Sequence, residues 1–257
     1  MADLNFLDMI EHRTIVLPCS KKMIKMRPIL IKEEKILVMA ASESEVLEGE
    51  EVKDMLDAIC QVVSNCTVEP KGLDWLSLPY SDFTYAFAQL RKISIGETFK
   101  LLVHCKDPKC KFHAKDTPET RDFKIDEALY IKNQDKAQSN IIRVKENLGV
   151  EVFQMTLKFV KELRSGDMLK KEHQLVINTK MVQTHIKAIL KGEERYENLS
   201  PEEKGAFVDS LNTDQFNKIY DWHLEQPVPE IKIKWICSEC KAQNEVSEVD
   251  LINFFVG

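Results

Sequence analysis

The 257-residue chain has only eight glycines, and none of them cluster. It therefore lacks the glycine-rich loop that cradles phosphate, and with it the nucleotide-binding motifs built on such a loop. No apolar run approaches the roughly 18 residues of a membrane span. The opening residues, Met1-Ala-Asp-Leu-Asn-Phe6, have neither a basic start nor an apolar stretch, so no secretory signal is expected. Lys and Arg form no long cluster and the formal charge is −6. Nucleic acid is accordingly not an expected partner, because phosphate binding depends on concentrated positive charge. No Ser/His/Asp or Cys/His nucleophile pattern is recognisable, and no enzymatic activity is expected. The expected setting is a reducing cytoplasm, where the seven cysteines are thiols or metal ligands rather than disulfides.

What is present is an ordinary globular composition, 44% hydrophobic and 30% charged, in a chain long enough for one large domain or two medium ones. The pattern reads as α+β: an N-terminal β-hairpin with helices, a β-rich middle, a helical segment, and a C-terminal strand ending in a cysteine pair. A short helix is expected over residues 3–12. Strands are expected over 14–17 and 23–30, joined by a turn at 18–22. A helix over 31–41 should carry Glu33, Glu34 and Lys35 outward and Ile36 and Leu37 inward. Val52, Met55, Leu56, Ile59 and Val63 recur at helical spacing over 50–64, with Cys60 on the same face. Phe83, Phe87 and Leu90 make one face of a helix over 80–92. A strand over 98–104 runs into Cys105, with a return strand near 122–126 and a hairpin over 141–153. Residues 156–163 fit either a strand or a helix. From Leu175 the chain turns helical, with Val182, Ile186, Ile189 and Leu190 read as a stripe closed by Gly192. Ser200-Pro-Glu-Glu203 is a helix start with a capping box and proline at the first helical position. A boundary near residue 95 divides residues 1–95 from 96–257, with one continuous domain as the alternative.

The strand Ile231-Lys-Ile-Lys-Trp235 alternates and feeds Cys237-Ser-Glu-Cys240. A Cys-x2-Cys turn at a strand end has the form of a zinc knuckle, whose short spacer lets both thiolates reach one ion. Its counterpart is Cys105-Lys-Asp-Pro-Lys-Cys110, also at a strand end. Four thiolates in two pairs suit a structural zinc ion and leave no open position for catalysis. Two alternatives stand beside this. One is a local site from His104, Cys105, Cys110 and His113. The other is a set of plain reduced thiols, and an iron–sulfur cluster is not separated from zinc by cysteine count alone. Cys60 reads as a small core residue. Cys19 sits near Lys21 and Lys22, which would favour its thiolate, against the plainer reading of a turn thiol. Phe254 and Phe255 read either as a tail folded over the core or as an apolar hook for a partner's groove.

Several stretches, in order along most of the chain, carry a resemblance. They are Met26-Arg-Pro-Ile-Leu-Ile-Lys-Glu-Glu-Lys35 and Asp82-Phe-Thr-Tyr-Ala-Phe-Ala-Gln-Leu-Arg-Lys-Ile-Ser-Ile-Gly96, followed by the strand ending in Cys105. Gly192-Glu-Glu194, Phe207-Val-Asp-Ser-Leu211 and Gln215-Phe-Asn-Lys-Ile219 come next. The series ends with Pro229, Cys237-x2-Cys240 and Asn253-Phe-Phe255. Together they resemble the baseplate hub proteins of contractile-tailed phages of the T-even type, a group of hub subunits and hub assembly factors. The resemblance implies a non-enzymatic protein that binds other baseplate hub proteins in the host cytoplasm. It leaves open whether the chain promotes hub assembly and departs, or stays in the tail baseplate of the virion. A zinc-dependent enzyme and a zinc-ribbon nucleic-acid adaptor are the rivals from other classes.

Overall fold

The computed structural model describes residues 10–44, 51–114, 117–134, 139–165 and 174–248. The helix expected over 3–12 falls almost wholly outside them, as do Phe254 and Phe255. Strands β1 (Arg13–Val16) and β2 (Met23–Met26) form the expected hairpin, with Val16 opposite Met23, and β3 (Thr67–Glu69) adds to the β2 edge. Helices α1 (Ile31–Ser44), α2 (Glu51–Cys66) and α3 (Tyr80–Ile95) complete this region. Leu17, Ile24 and Met26 from the hairpin pack with Leu56, Ile59 and Val63 of α2 and with Phe83, Phe87 and Leu90 of α3. Each such side chain contributes about 1.5–3 kcal/mol by leaving water, so this core holds the hairpin to the helices.

Glu33 corrects the expected outward face of α1, because its carboxylate is fully buried. Arg27 grips it with two bonds, Nη2 to Oε1 at 2.9 Å and Nη1 to Oε2 at 3.2 Å. Oε2 also accepts from the Leu30 amide at 3.1 Å. The same guanidinium donates to the carbonyls of Asn65 and Pro28, both at 3.0 Å. One buried ion pair thus joins the end of β2, the start of α1 and the end of α2.

After α3 come β4 (Thr98–Val103), β5 (Glu119–Lys124), α4 (Ile125–Ala128) and β6 (Leu129–Lys132). β4 and β5 pair antiparallel from Thr98↔Lys124 to Val103↔Glu119. The chain then builds a third region before returning. β7 (Ile141–Lys145) and β8 (Leu148–Val152) are the expected hairpin, and α5 (Leu157–Ser165) settles the open choice at 156–163 as helix. Leu157 and Val160 of α5 reach back to the first core. Helix α6 (Gln174–His185) runs straight into β9 (Ile186–Lys191), and β10 (Glu194–Tyr196) follows. The stripe read through Ile186, Ile189 and Leu190 as helical is therefore a strand. Ile186 and Ala188 are buried with exposed Lys187 between them, a period of two, and β9 lies between β8 and β10. Helices α7 (Pro201–Asp209) and α8 (Thr213–Leu224) cover this sheet, each opened by a complete capping box, at Ser200/Glu203 and Asn212/Gln215.

Strands β11 (Val228–Ile236) and β12 (Gln243–Glu248) close the described chain. β11 is the centre of a sheet ordered β12-β11-β6. Its first residues pair with β6, Val228↔Lys132 to Ile231↔Leu129, and its last six pair with β12. Ile231, Ile233 and Trp235 face a second core with Phe99, Val103, Ile125 and Ala88 of α3. The third region, residues 139–224, is thus enclosed in sequence between two strands that pair with each other.

Candidate metal centre

Two hairpin ends face each other. At the end of β4 the Cys105 amide donates to the Phe112 carbonyl at 2.8 Å, and Cys110 N–H donates to Asp107 O at 3.0 Å, which folds the loop back on itself. At the β11–β12 turn the Cys237 amide donates to Ala242 O at 2.9 Å, and Lys241 N–H donates to Cys237 O at 3.2 Å. Lys241 takes φ of 62°, the left-handed conformation that tightens the turn. The loops bring all four sulfurs within 4.8 Å of one another, with Cys105–Cys240 and Cys110–Cys237 at 3.5 Å. Those separations are too long for a disulfide, and all four are free thiols.

The donor set fits a tetrahedral thiophilic ion. A metal–sulfur bond of about 2.3 Å in a tetrahedron places sulfurs roughly 3.8 Å apart, between the closest and widest separations found. Cys105, Cys110 and Cys237 are buried and Cys240 half-buried, with Phe112 and Ala242 packed around them. The Cys237 thiol is brought down to about 7, chiefly by the Cys240 amide and further by the Glu239 amide, against its burial. The Cys240 thiol moves the other way: the Ala242 amide lowers it, but burial and the neighbouring Cys105, Cys237 and Cys110 thiols outweigh that amide and bring it up to about 12. The cluster therefore favours a first thiolate and resists further ones without a cation.

The surrounding bonds tie the two loops together without the sulfurs. Asn244 on β12 accepts from the Lys106 amide at 2.8 Å and donates to Ala242 O at 2.9 Å. Lys111 reaches Glu239 at 2.7 Å across the rim. His113 lies at the Cys105 carbonyl, Nδ1 to O at 2.7 Å, and the sulfur cluster draws on both cysteine pairs rather than on a local His/Cys set. Asn244 was not visible as a site residue, because a lone Asn in a polar stretch gives no signal until β12 is known to be a strand.

The β1–β2 turn repeats the Cys237 turn bond for bond. Leu17 N–H donates to Lys22 O at 2.9 Å, Lys21 N–H donates to Leu17 O at 3.2 Å, and Lys21 has φ of 58°. Even the lysine ammonium does the same thing, with Lys21 Nζ on Pro18 O and Lys241 Nζ on Ser238 O, both at 2.7 Å. Leu17 stands where the other turn has Cys237, and Ser20 where it has Cys240. The amides of Glu239 and Cys240 serve the Cys237 thiolate. Their equivalents, Cys19 and Ser20, donate to the buried Asp82 carboxylate of α3 at 2.7 and 2.9 Å. Asp82 thus supplies the negative charge that a thiolate supplies in the other turn.

The remaining cysteines lie apart from the cluster. The Cys19 thiol is pushed up to about 12, by burial first and then by Asp82, and it points to the Pro227 carbonyl at 3.4 Å. The pull of Lys21 toward a thiolate is outweighed, and the plainer reading of a turn thiol stands. Cys60 is half-buried against the first core, and Cys66 is buried beside Arg27. Among the described residues no helix is long and apolar enough to cross a membrane.

Comparison with curated proteins and with solved structures returns no match. A family model described as T4 bacteriophage base plate protein matches residues 9–256. That span includes both hairpin turns, the Arg27–Glu33 pair and all four clustered cysteines. The chain belongs to the T4 bacteriophage base plate protein family.

Proposed function

We propose that this protein is a non-enzymatic assembly factor for the hub of the phage tail baseplate, acting in the host cytoplasm by binding other hub proteins. The observation that carries the reading is a base plate family match running over residues 9–256. Exposed apolar side chains support a binding role: Ile31, Val38 and Met39 on α1, and the cross-strand pair Val16 and Met23. In this reading Cys105, Cys110, Cys237 and Cys240 hold one zinc ion that fastens the β4 loop to the β11–β12 turn. Zinc there has a structural role, since four thiolates fill its tetrahedron. Phe254 and Phe255 are the residues we assign to contact with a hub partner. The division near residue 95 remains part of the proposal, and limited proteolysis with mass spectrometry of the fragments tests it.

Mass spectrometry of purified mature particles tests the central reading. An assembly factor is needed for hub formation and missing from the finished particle. A fixed stoichiometric amount in the particle establishes the structural-subunit reading instead. Deletion of residues 253–257 is expected to abolish capture of hub proteins in pull-downs, and unchanged capture removes the tail from the binding surface.

A further inference from the structure

His185 and His223 lie where the first and third regions meet. His185 ends α6, beside Val182 and Ile186 of the third core. Its Nε2 accepts from the Thr156 amide at 3.1 Å, and its Nδ1 lies 2.7 Å from the Met181 carbonyl. A ring nitrogen that accepts from an amide carries no proton, so Nδ1 is the donor and the imidazole is neutral. Thr156 leads directly into α5, whose Leu157 and Val160 belong to the first core. The Phe153 amide in turn donates to the His185 carbonyl at 3.0 Å. One side chain therefore bolts the start of α5 to the end of α6.

His223 of α8 stands ring to ring with His185 at 5.6 Å, and Trp222 lies 5.0 Å from it. Phe153 and Phe159 meet the His185 ring edge-on at 5.1 and 5.0 Å. Both imidazoles are buried, and neither nitrogen of His223 has a hydrogen-bond partner among the described residues. The charge that reaches His185 is Lys204 of α7, and the group that reaches His223 is His185 itself. Among the described residues no carboxylate acts on either ring. Nearby Gln226 is neutral and occupied with Gln154 and the Trp222 carbonyl. A proton on His185 Nε2 would face the Thr156 N–H, and a proton on His223 would have no acceptor among the described residues. Burial, as the main cause, holds His185 at about 4 and His223 at about 3.

We propose that the His185–His223 pair is a proton-sensitive latch: neutral, it fastens α6 and α8 to the start of α5, and protonation releases that junction. Both folded values lie below the ordinary 6.5, so the released form binds more protons once the pH falls below 6.5. The latch is fully effective above that pH and weakens on the way down to the folded values. Each histidine multiplies the opening constant by up to about tenfold per pH unit, and the pair by up to about a hundredfold.

Amide hydrogen exchange of the full-length protein at pH 7.5 and 5.5, corrected for intrinsic rate, tests this. Protection around Phe153, Thr156 and His185 is expected to fall by about tenfold to a hundredfold at pH 5.5. Amides of Ile59 and Phe87 in the first core are expected to keep theirs. His223→Phe keeps an aromatic ring and removes one titrating group, so it should roughly halve the exponent of that pH dependence. Should that variant not fold, the wild-type imidazole resonances decide, because both rings should remain neutral in the closed protein at pH 5.5. Equal protection at the two pH values overturns the proposal. So does a uniform loss over all cores, or a charged His223 in an otherwise intact fold.

Discussion

Replacing Asp82 with alanine isolates the contact that holds the β1–β2 turn to α3. The carboxylate is fully buried and accepts from the Cys19 and Ser20 amides at 2.7 and 2.9 Å. Bonds to a charged acceptor contribute about 1.5–3 kcal/mol each, and a buried amide left without its partner costs about 1–3 kcal/mol. Removing one acceptor from two amides is therefore expected to cost about 3–5 kcal/mol, with water entering the vacated space recovering part of the larger sum. Asp82→Asn keeps one oxygen but sets an NH2 group against the second amide, so roughly half that loss is expected. Whole-protein stabilities are about 5–15 kcal/mol, so the alanine variant should be conspicuous in urea unfolding. Its midpoint should fall while the slope stays that of the parent, because the same surface is exposed on unfolding. Since no ion is involved in this turn, the difference between parent and variant should be the same with and without a chelator. A loss below about 1 kcal/mol for Asp82→Ala would refute the account of the turn as an amide cradle filled by a carboxylate.

Cys237→Ser is expected to abolish bound zinc in elemental analysis of the purified protein. It should also lower stability by about 4–5 kcal/mol, the chain-entropy worth of a link across a loop of more than a hundred residues; unchanged metal content refutes the four-sulfur site. Glu33→Gln leaves the Arg27 charge buried without its counter-ion and should cost about 3–5 kcal/mol in the same urea assay. In the parent, burial pushes the Glu33 carboxyl up, but Arg27, the Leu30 amide and Lys32 together hold it below its usual range. That contribution is present above the ordinary carboxylate pKa and disappears as the pH falls through the lowered folded one. Urea midpoints of Glu33→Gln and parent should therefore converge in acid, and a constant gap refutes the linkage.

The parts of the fold that could be read in the chain are those where local pattern and final packing agree. The α2 stripe through Leu56, Ile59 and Val63, the Ser200 capping box and the alternation of Ile231, Ile233 and Trp235 all belong to this class. The two cysteine pairs were legible as halves of one cluster because strand ends and short spacers are local features. Their meeting was not, since it depends on β11 pairing with β6 across the third region. Glu33 reads as surface because a charged residue early in a helix normally is, and the turn that folds Arg27 back onto it, which makes its burial tolerable, is not visible in the residue pattern. Ile186, Ile189 and Leu190 match a helical period as well as a strand, and pairing with β8 decided for the strand. Asp82 lay in plain view in a quoted motif. Its role required knowing that the Cys19 and Ser20 amides converge on it.

The nesting of residues 139–224 between β6 and β11 has a consequence for the order of events during synthesis. Cys105 and Cys110 are made early, but their nearest sulfur partners, Cys240 and Cys237, lie 135 and 127 residues further on. A nascent chain that ends before β11 has two of the four clustered thiols and leaves β6 without β11, its strand neighbour among the described residues. Neither the sheet nor the sulfur cluster can close until the final hairpin emerges. A filled four-thiolate site would therefore mark a chain translated past the β11–β12 turn, and products truncated before it would lack that mark however well their first core had folded.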